Sequence, residues 1–303
     1  MISFKTVTLC DKPWVDEIVR AENSRSADYN FGNIYIWDKY YRQLICRCGD
    51  RMLTKLRYEG KPAFVFSIGS GPLRPAIEAL QEFADFRGYP LVIRGITKEH
   101  REALEAEFPG RFTFEAETKN FDYIYRAEKL ATYSGKAMHG KKNHCNRFEA
   151  ENDWQFVPLT RELIPGCLDM LVEWNEENHD RLDPSISFEH DALIRAFAAF
   201  EKLGLEGGVL YANGKIVGFS MGEMASEDCF DVHFEKAEIT MNGAYPMVCR
   251  ELTRMLMAKY PKLEYINRED DMGLEALRQS KLSYKPEYLL EKYIARVKEN
   301  GDP

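Results

Sequence analysis

The chain has 303 residues, 45% hydrophobic and 30% charged, with 41 Lys and Arg against 49 Asp and Glu and a formal charge of -8. This is the composition of a globular protein long enough for two domains, each with its own core. The acidic balance argues against sequence-blind coating of nucleic acid while leaving room for a local basic groove, and no apolar run approaches the roughly 20 residues of a membrane span.

No secretory pattern opens the chain, because Asp11, Lys12, Asp16 and Glu17 follow closely on Leu9. The seven cysteines are odd in number and lack a CxxC pair, which suits reduced, mostly buried thiols of a cytoplasmic protein. Cys46 and Cys48 share a strand face with no second ligand pair, and His139 and His144 have no partner at ligand spacing. No metal is expected.

Lys12 to Asn23 has helical periodicity through Trp14, Ile18 and Val19, with Asp11 placed to cap it. The aromatic run from Tyr29 to Tyr41 reads as core. Strands over 43–48, 51–58 and 61–68, separated by Gly49-Asp50 and Glu59-Gly60, predict an antiparallel meander. A helix over 73–88, a strand over 91–95, a helix over 98–108 and strands within 112–126 follow.

The stretch from Arg126 to Phe148 holds Arg126, Lys129, Lys136, Lys141, Lys142 and Arg147 against Glu128 alone. At 100° per residue Lys136, Gly140, Asn143 and Arg147 form one stripe, with Met138, Cys145 and Phe148 on the opposite side. Two readings stand: a solvated basic helix bridging two domains, or an anion-binding helix facing a phosphate-rich ligand. A close approach of something to the backbone would explain Gly140, which otherwise costs about 1 kcal/mol against Ala.

The order of elements then starts again. Helices are expected over 167–178 and 188–203, and a hairpin turns at Asn213-Gly214 between strands 209–212 and 215–221. A strand over 229–235, a helix over 244–260, a strand over 263–267, a helix over 274–281 and a closing strand region over 286–297 complete the chain. Leu73, Leu91 and Leu104 match Tyr245, Leu263 and Leu277 in order, about 170 residues apart. This predicts two mixed α/β domains, 1–128 and 129–303, the second beginning with the basic segment.

On strand 229–235, alternation sends Phe230, Val232 and Phe234 one way and Asp231, His233 and Glu235 the other. That polar trio is either a solvated face or a catalytic one. In Glu269-Asp270-Asp271, Asp271 suits a helix cap, which leaves Asn267 and Asp270 as the better site candidates at a strand end. Arg278 and Lys281 lie one helical turn apart and either face phosphate or sit on a solvated surface. Tyr284 and Tyr288 read as core.

The order of elements resembles the GNAT acyltransferase fold in tandem. The runs LATYSGKAMHGKKNHCNRF, VLYANGKIVGFSMGE and YINREDDMGLEALRQSKLSYKPEY resemble the C-terminal domain of phosphatidylglycerol lysyltransferases in its soluble relatives, which are similar in turn to Fem-type aminoacyltransferases. The resemblance implies two GNAT-like lobes and transfer of an aminoacyl group from aminoacyl-tRNA, as co-substrate, to a lipid headgroup or small amine. The lysyltransferase's multi-helix membrane domain has no counterpart in this sequence. On this reading Asp231, His233, Glu235 and Asp270 are the catalytic candidates. The donor would meet Lys136, Lys141, Lys142, Asn143, Arg147, Gly243, Tyr245, Asn267, Arg278 and Lys281. Acetyl-CoA is possible but not indicated: Met241-Asn242-Gly243-Ala244-Tyr245-Pro246 keeps one glycine of a pyrophosphate loop and lacks its basic start, and Gly69-Ser70-Gly71-Pro72 is an unspecific G-x-G. A non-catalytic binding module for a phosphate-containing ligand and an acetyl-CoA-dependent N-acetyltransferase remain as alternatives.

Overall fold

The computed structural model describes residues 2–178 and 185–298. Strand β1 (Lys5–Thr6) precedes helix α1 (Lys12–Glu22) and the short helices α2 (Phe31–Ile36) and α3 (Asp38–Tyr41). The meander follows as β2 (Leu44–Cys48), β3 (Arg51–Tyr58) and β4 (Lys61–Gly69), with positive φ at Gly49, Glu59 and Gly60 closing its turns. Next come α4 (Leu73–Arg87), β5 (Val92–Ile96), α5 (Lys98–Glu107), β6 (Phe112–Ala116) and β7 (Asp122–Arg126). Tyr29, Phe31, Ile34 and Ile36 are buried, so the aromatic run is core through α2, while Tyr40 stays exposed. Asp11 stands at the N-cap position of α1, but its carboxylate turns back to accept from the Thr8 amide at 3.0 Å, completing the capping box of the 3-10 turn before the helix.

The second half runs α6 (Ala127–Thr132), α7 (His139–Glu151), β8 (Trp154–Pro158), α8 (Ile164–Asn178), α9 (Ser185–Ala198), α10 (Phe200–Leu203) and the strands β9 (Glu206–Ala212), β10 (Lys215–Ser226) and β11 (Cys229–Ala237). It ends with α11 (Ala244–Lys259), β12 (Tyr265–Asn267), α12 (Glu275–Ser283), β13 (Tyr288–Leu290) and β14 (Tyr293–Val297). Strand β8 was not anticipated from the sequence. Among the described residues no helix is long and apolar enough to cross a membrane.

The strands form two seven-stranded sheets, β1-β2-β3-β4-β5-β14-β6 and β13-β7-β12-β11-β10-β9-β8. In each, an antiparallel meander is followed by a helix and a parallel strand: β4 with β5 after α4, and β11 with β12 after α11. Both units are therefore mixed α/β and GNAT-like, in tandem. In the second, α6 and α7 pack on α11 through a core that includes Leu130, Cys145, Phe148, Met247 and Val248.

The division of the chain differs from a single cut at 128/129. One unit comprises Met1–Asp122, Asp270–Leu274 and Leu289–Pro303, and the other Tyr123–Glu269 and Glu275–Tyr288. The reason is pairing across the sequence. Strand β14 inserts antiparallel between β5 and β6, and β7 pairs antiparallel with β12. Each sheet thus holds a strand from the other half of the sequence. In the first unit, Lys292 just before β14 is buried and bonds Asp122 at 2.7 Å and Asp28 at 2.9 Å.

Candidate functional site

The polar trio of β11 does not share one face. Strand β10 pairs Met221 with Phe234 and Gly222 with Val232, which leaves His233 as the extra residue of a bulge. The bulge reverses the phase of the strand. Phe230, Val232 and, beyond the bulge, Ala237 join the core under α11, and Glu235 lies on that same side beside Cys249 and Tyr284. Asp231 and His233 lie on the opposite side with Glu223 of β10, the cross-strand partner of Asp231. Gly222 makes the bulge possible, because a Cβ there would stand 1.8 Å from the Asp231 carbonyl oxygen. The expected single face is therefore corrected to two clusters, back to back across β11, and neither is a solvated surface.

In the first cluster His233 is buried, its Nδ1 3.0 Å from Glu269 Oε1 and 3.6 Å from Asp231 Oδ2, and its Nε2 3.1 Å from Glu223 Oε1. Burial alone would lower the His233 pKa. The hydrogen bonds to Glu223 and Glu269 and the charge of Asp231 outweigh burial and raise it well above the ordinary value. Three carboxylates around one ring favour the doubly protonated imidazolium, which can donate from both nitrogens.

In the second cluster the Arg268 guanidinium donates to Glu235 Oε1 at 2.7 Å. Its other terminal nitrogen, Nη1, is buried and has no hydrogen-bond partner among the described residues. The Tyr284 ring lies 4.4 Å from the Arg268 guanidinium carbon, and the Lys141 ammonium stands 3.8 Å from the same ring. Burial pushes the Glu235 carboxyl up against the pull of Arg268, Lys281 and Lys141. Burial, then Arg268, lowers Lys141. Lys281 is buried, and its ammonium donates to the Arg268 carbonyl; it belongs to this cluster, not to a solvated helix surface. Arg278 is half-buried and pairs with Glu275 at 3.5 Å on its own helix.

The basic segment divides by direction. It is not one helix: α6 ends at Thr132, a 3-10 turn covers Lys136–Met138, and α7 begins at His139. Lys136 thus falls off the stripe that Gly140, Asn143 and Arg147 keep. Met138, Cys145 and Phe148 are buried as expected. Lys136, Lys142, Asn143 and Arg147 are exposed, and Arg147 pairs with Glu151 at 2.7 Å; only Lys141 turns inward. A Cβ on Gly140 would meet nothing within 4 Å, so nothing approaches its backbone. The close approach occurs at Gly243, which has φ of 92° and would place a Cβ 2.5 Å from the His144 carbonyl oxygen. Tyr245 accepts from Trp174 Nε1 at 3.2 Å.

Asn267 is fully buried, and its side-chain oxygen accepts from the Glu269 amide at 2.7 Å, shaping the turn after β12. Asp270 is grouped with the first unit, apart from Asp231, His233 and Glu235 of the second, and accepts from the Met272 amide at 3.0 Å in the turn after β12. Asp271 accepts from the Gly273 amide at 2.8 Å and closes a turn; α12 begins only at Glu275, so Asp271 does not cap it. The sequence reading missed Glu223, Glu269 and Arg268 as site residues. Glu223 required the β10–β11 register. Arg268 directly follows Asn267, and the same strand-end argument reached it without using it.

The family described as "Phosphatidylglycerol lysyltransferase, C-terminal" matches residues 20–296. The chain belongs to that family. A crystal structure of a conserved protein of unknown function from Bacteroides thetaiotaomicron is 37% identical, with a TM-score of 0.92 over 98% of this chain and 100% of that one. The structure of L-PGS from Bacillus licheniformis shares the fold at 18% identity, with a TM-score of 0.68 over 99% and 95% of the two chains. An uncharacterised protein of Mycoplasmoides gallisepticum is 30% identical over 180 residues, 58% of this chain and 56% of that protein. The match thus spans little more than half of that curated relative.

In this member of the lysyltransferase C-terminal family, one group has the spacing to surround a cation. Ligand atoms of Asp231, His233 and Glu269 lie within 4.8 Å of one another. Both nitrogens of His233 already face carboxylate oxygens, which favours imidazolium over a coordinating neutral ring.

Proposed function

We propose that the second unit transfers an aminoacyl group from aminoacyl-tRNA to an amine or a lipid hydroxyl. Family membership supports the reaction class. The observation that carries the reading is the Glu235–Arg268–Lys141 cluster: a carboxyl raised by burial beside a guanidinium whose Nη1 is buried without a partner. Acyl transfer from an ester needs a base for the attacking group and a fixed donor for the oxygen that gains charge. Glu235 takes the proton of the acceptor as its nitrogen or oxygen bonds to the ester carbonyl carbon. Arg268 Nη1 donates to the resulting oxyanion. As the carbon–oxygen bond to the ribose breaks, the proton passes to the departing ribose oxygen. The His233 cluster holds the bulged strand that carries Glu235.

The outward side chains Lys136, Lys142, Asn143 and Arg147 suit the phosphates of the donor. The glycine at 243 is accounted for by its close packing against the His144 carbonyl, so no diphosphate is needed to explain it.

The test is transfer of label from aminoacyl-tRNA to phosphatidylglycerol vesicles or to soluble amines. Arg268→Lys and Glu235→Gln should each lower the rate by about 100-fold or more. Binding of tRNA should weaken with salt, and Lys136→Ala with Arg147→Ala should flatten the slope by roughly 0.7 to 0.9 per lost contact. If label stays on the tRNA with every acceptor while tRNA binds, the protein is a binding module. If tRNA does not bind, the donor assignment fails.

A further inference from the structure

A cavity lies within the first unit, away from the clusters of β11. It measures about 340 Å³ and sits between one face of the sheet and the C-terminal end of α4. On that face Lys55 of β3 stands in a row between Leu44 of β2 and Phe64 of β4, its direct cross-strand partners. A lysine in an apolar row must either carry its ammonium out to water or use it locally. Three aromatic side chains wall the space. Phe4 and Phe83 meet edge to face at 5.0 Å between centroids, and Phe86, 67% exposed, forms the lip. Arg87 places its guanidinium carbon 5.4 Å from the Phe83 ring and 6.0 Å from the Phe86 ring. The Tyr89 hydroxyl is buried with no hydrogen-bond partner among the described residues.

The cavity therefore has two cations and an unsatisfied phenol, and none of the described residues lining it is acidic. Burial, then Arg87 and Arg57, lowers the Lys55 pKa, so the ammonium stands in surroundings that an anion would relieve. An apolar hollow with a few convergent polar groups is the usual form of a small-molecule site. At interior packing density, the volume suits a ligand of about ten to fifteen non-hydrogen atoms.

We propose that this cavity binds a small aryl carboxylate, its ring held among Phe4, Phe83 and Phe86 and its carboxylate met by Lys55, Arg87 and the Tyr89 hydroxyl. The edge-to-face arrangement of the walls favours a flat ring over a flexible chain. The site is independent of the transfer chemistry assigned to the second unit.

Isothermal titration of the full chain with phenylacetate tests this. One site should saturate in the micromolar to millimolar range, and the neutral isostere phenylacetamide should bind at least about tenfold more weakly. Lys55→Met should raise the dissociation constant by at least about tenfold, whereas Lys55→Arg keeps the charge and should stay within about threefold. Matching thermal unfolding of the two variants separates loss of the ligand contact from loss of the fold. The proposal is overturned if phenylacetate does not saturate, if phenylacetamide binds equally well, or if Lys55→Met binds like the wild type. Tighter binding of octanoate than of phenylacetate would overturn the choice of an aryl ligand.

Discussion

Arg268 and Glu235 meet at 2.7 Å with only 12% and 9% of their side chains exposed. One comes from the turn after β12 and the other from just beyond the bulge of β11. Two charges so far from water are held only by each other and by their other neighbours, and removing one strands its partner. Glu235→Ala should lower the unfolding free energy by about 3–5 kcal/mol, measured by urea denaturation. Replacing both with apolar residues of similar volume should recover most of the stability and none of the transfer activity.

The His233 imidazolium sets a pH dependence of definite sign. Its folded pKa is raised above the ordinary value of 6.5, so its contribution to stability is complete below that value. It is lost as pH rises through the folded pKa. Nitrogen-resolved NMR should find the ring doubly protonated at pH 8. His233→Gln should flatten the alkaline fall in stability, with less effect on the slope near neutrality. A ring that titrates near 6.5 would contradict the cluster.

Gly222 and Gly140 should respond in opposite directions to the same added methyl. At Gly222 the new Cβ runs into the Asp231 carbonyl oxygen, and Ala should cost about 2–4 kcal/mol as the bulge is forced out. At Gly140, in open space on α7, Ala should stabilise by about 0.5–1 kcal/mol. Thermal melts of the two single variants decide both.

Much of this arrangement could be read from local signals. The turns at Gly49-Asp50, Glu59-Gly60 and Asn213-Gly214 gave the meander and the hairpin, and strict alternation placed Phe230 and Val232 in the core. The bulge was invisible for a physical reason. One extra residue leaves the alternation of the sequence intact and changes only which neighbour each residue meets, so Glu235 was assigned to the wrong side. The basic segment misled differently. Its stripe was drawn as one continuous helix, and the inward residue, Lys141, lies outside the stripe. The pairing of β7 with β12 and of β14 with β5 joins distant parts of the chain, and no local pattern announces it.

Lys292 should be intolerant of neutral replacement. Lys292→Met leaves Asp122, 1% exposed, without its cation and should cost about 3–5 kcal/mol near neutral pH. Burial already pushes the Asp122 carboxyl up, so acidification should protonate it and narrow the gap to the wild type. Paired urea titrations at pH 7 and pH 5 would show this, and a gap that widens on acidification would contradict it.

The return of β14 to the first sheet bears on how the protein is made. Strand β14 lies between β5 and β6, so β5 has only β4 beside it and β6 has no paired neighbour until β14 has been made. The first sheet is therefore made with the β5 edge open and β6 unpaired, and both wait while the chain up to β14 is translated. Closing so long a loop is slow, and unpaired edges invite other chains. A fragment ending before Tyr293 should therefore aggregate even though it contains most of both units, and the nascent protein should depend on chaperones that shield β edges until β14 is made.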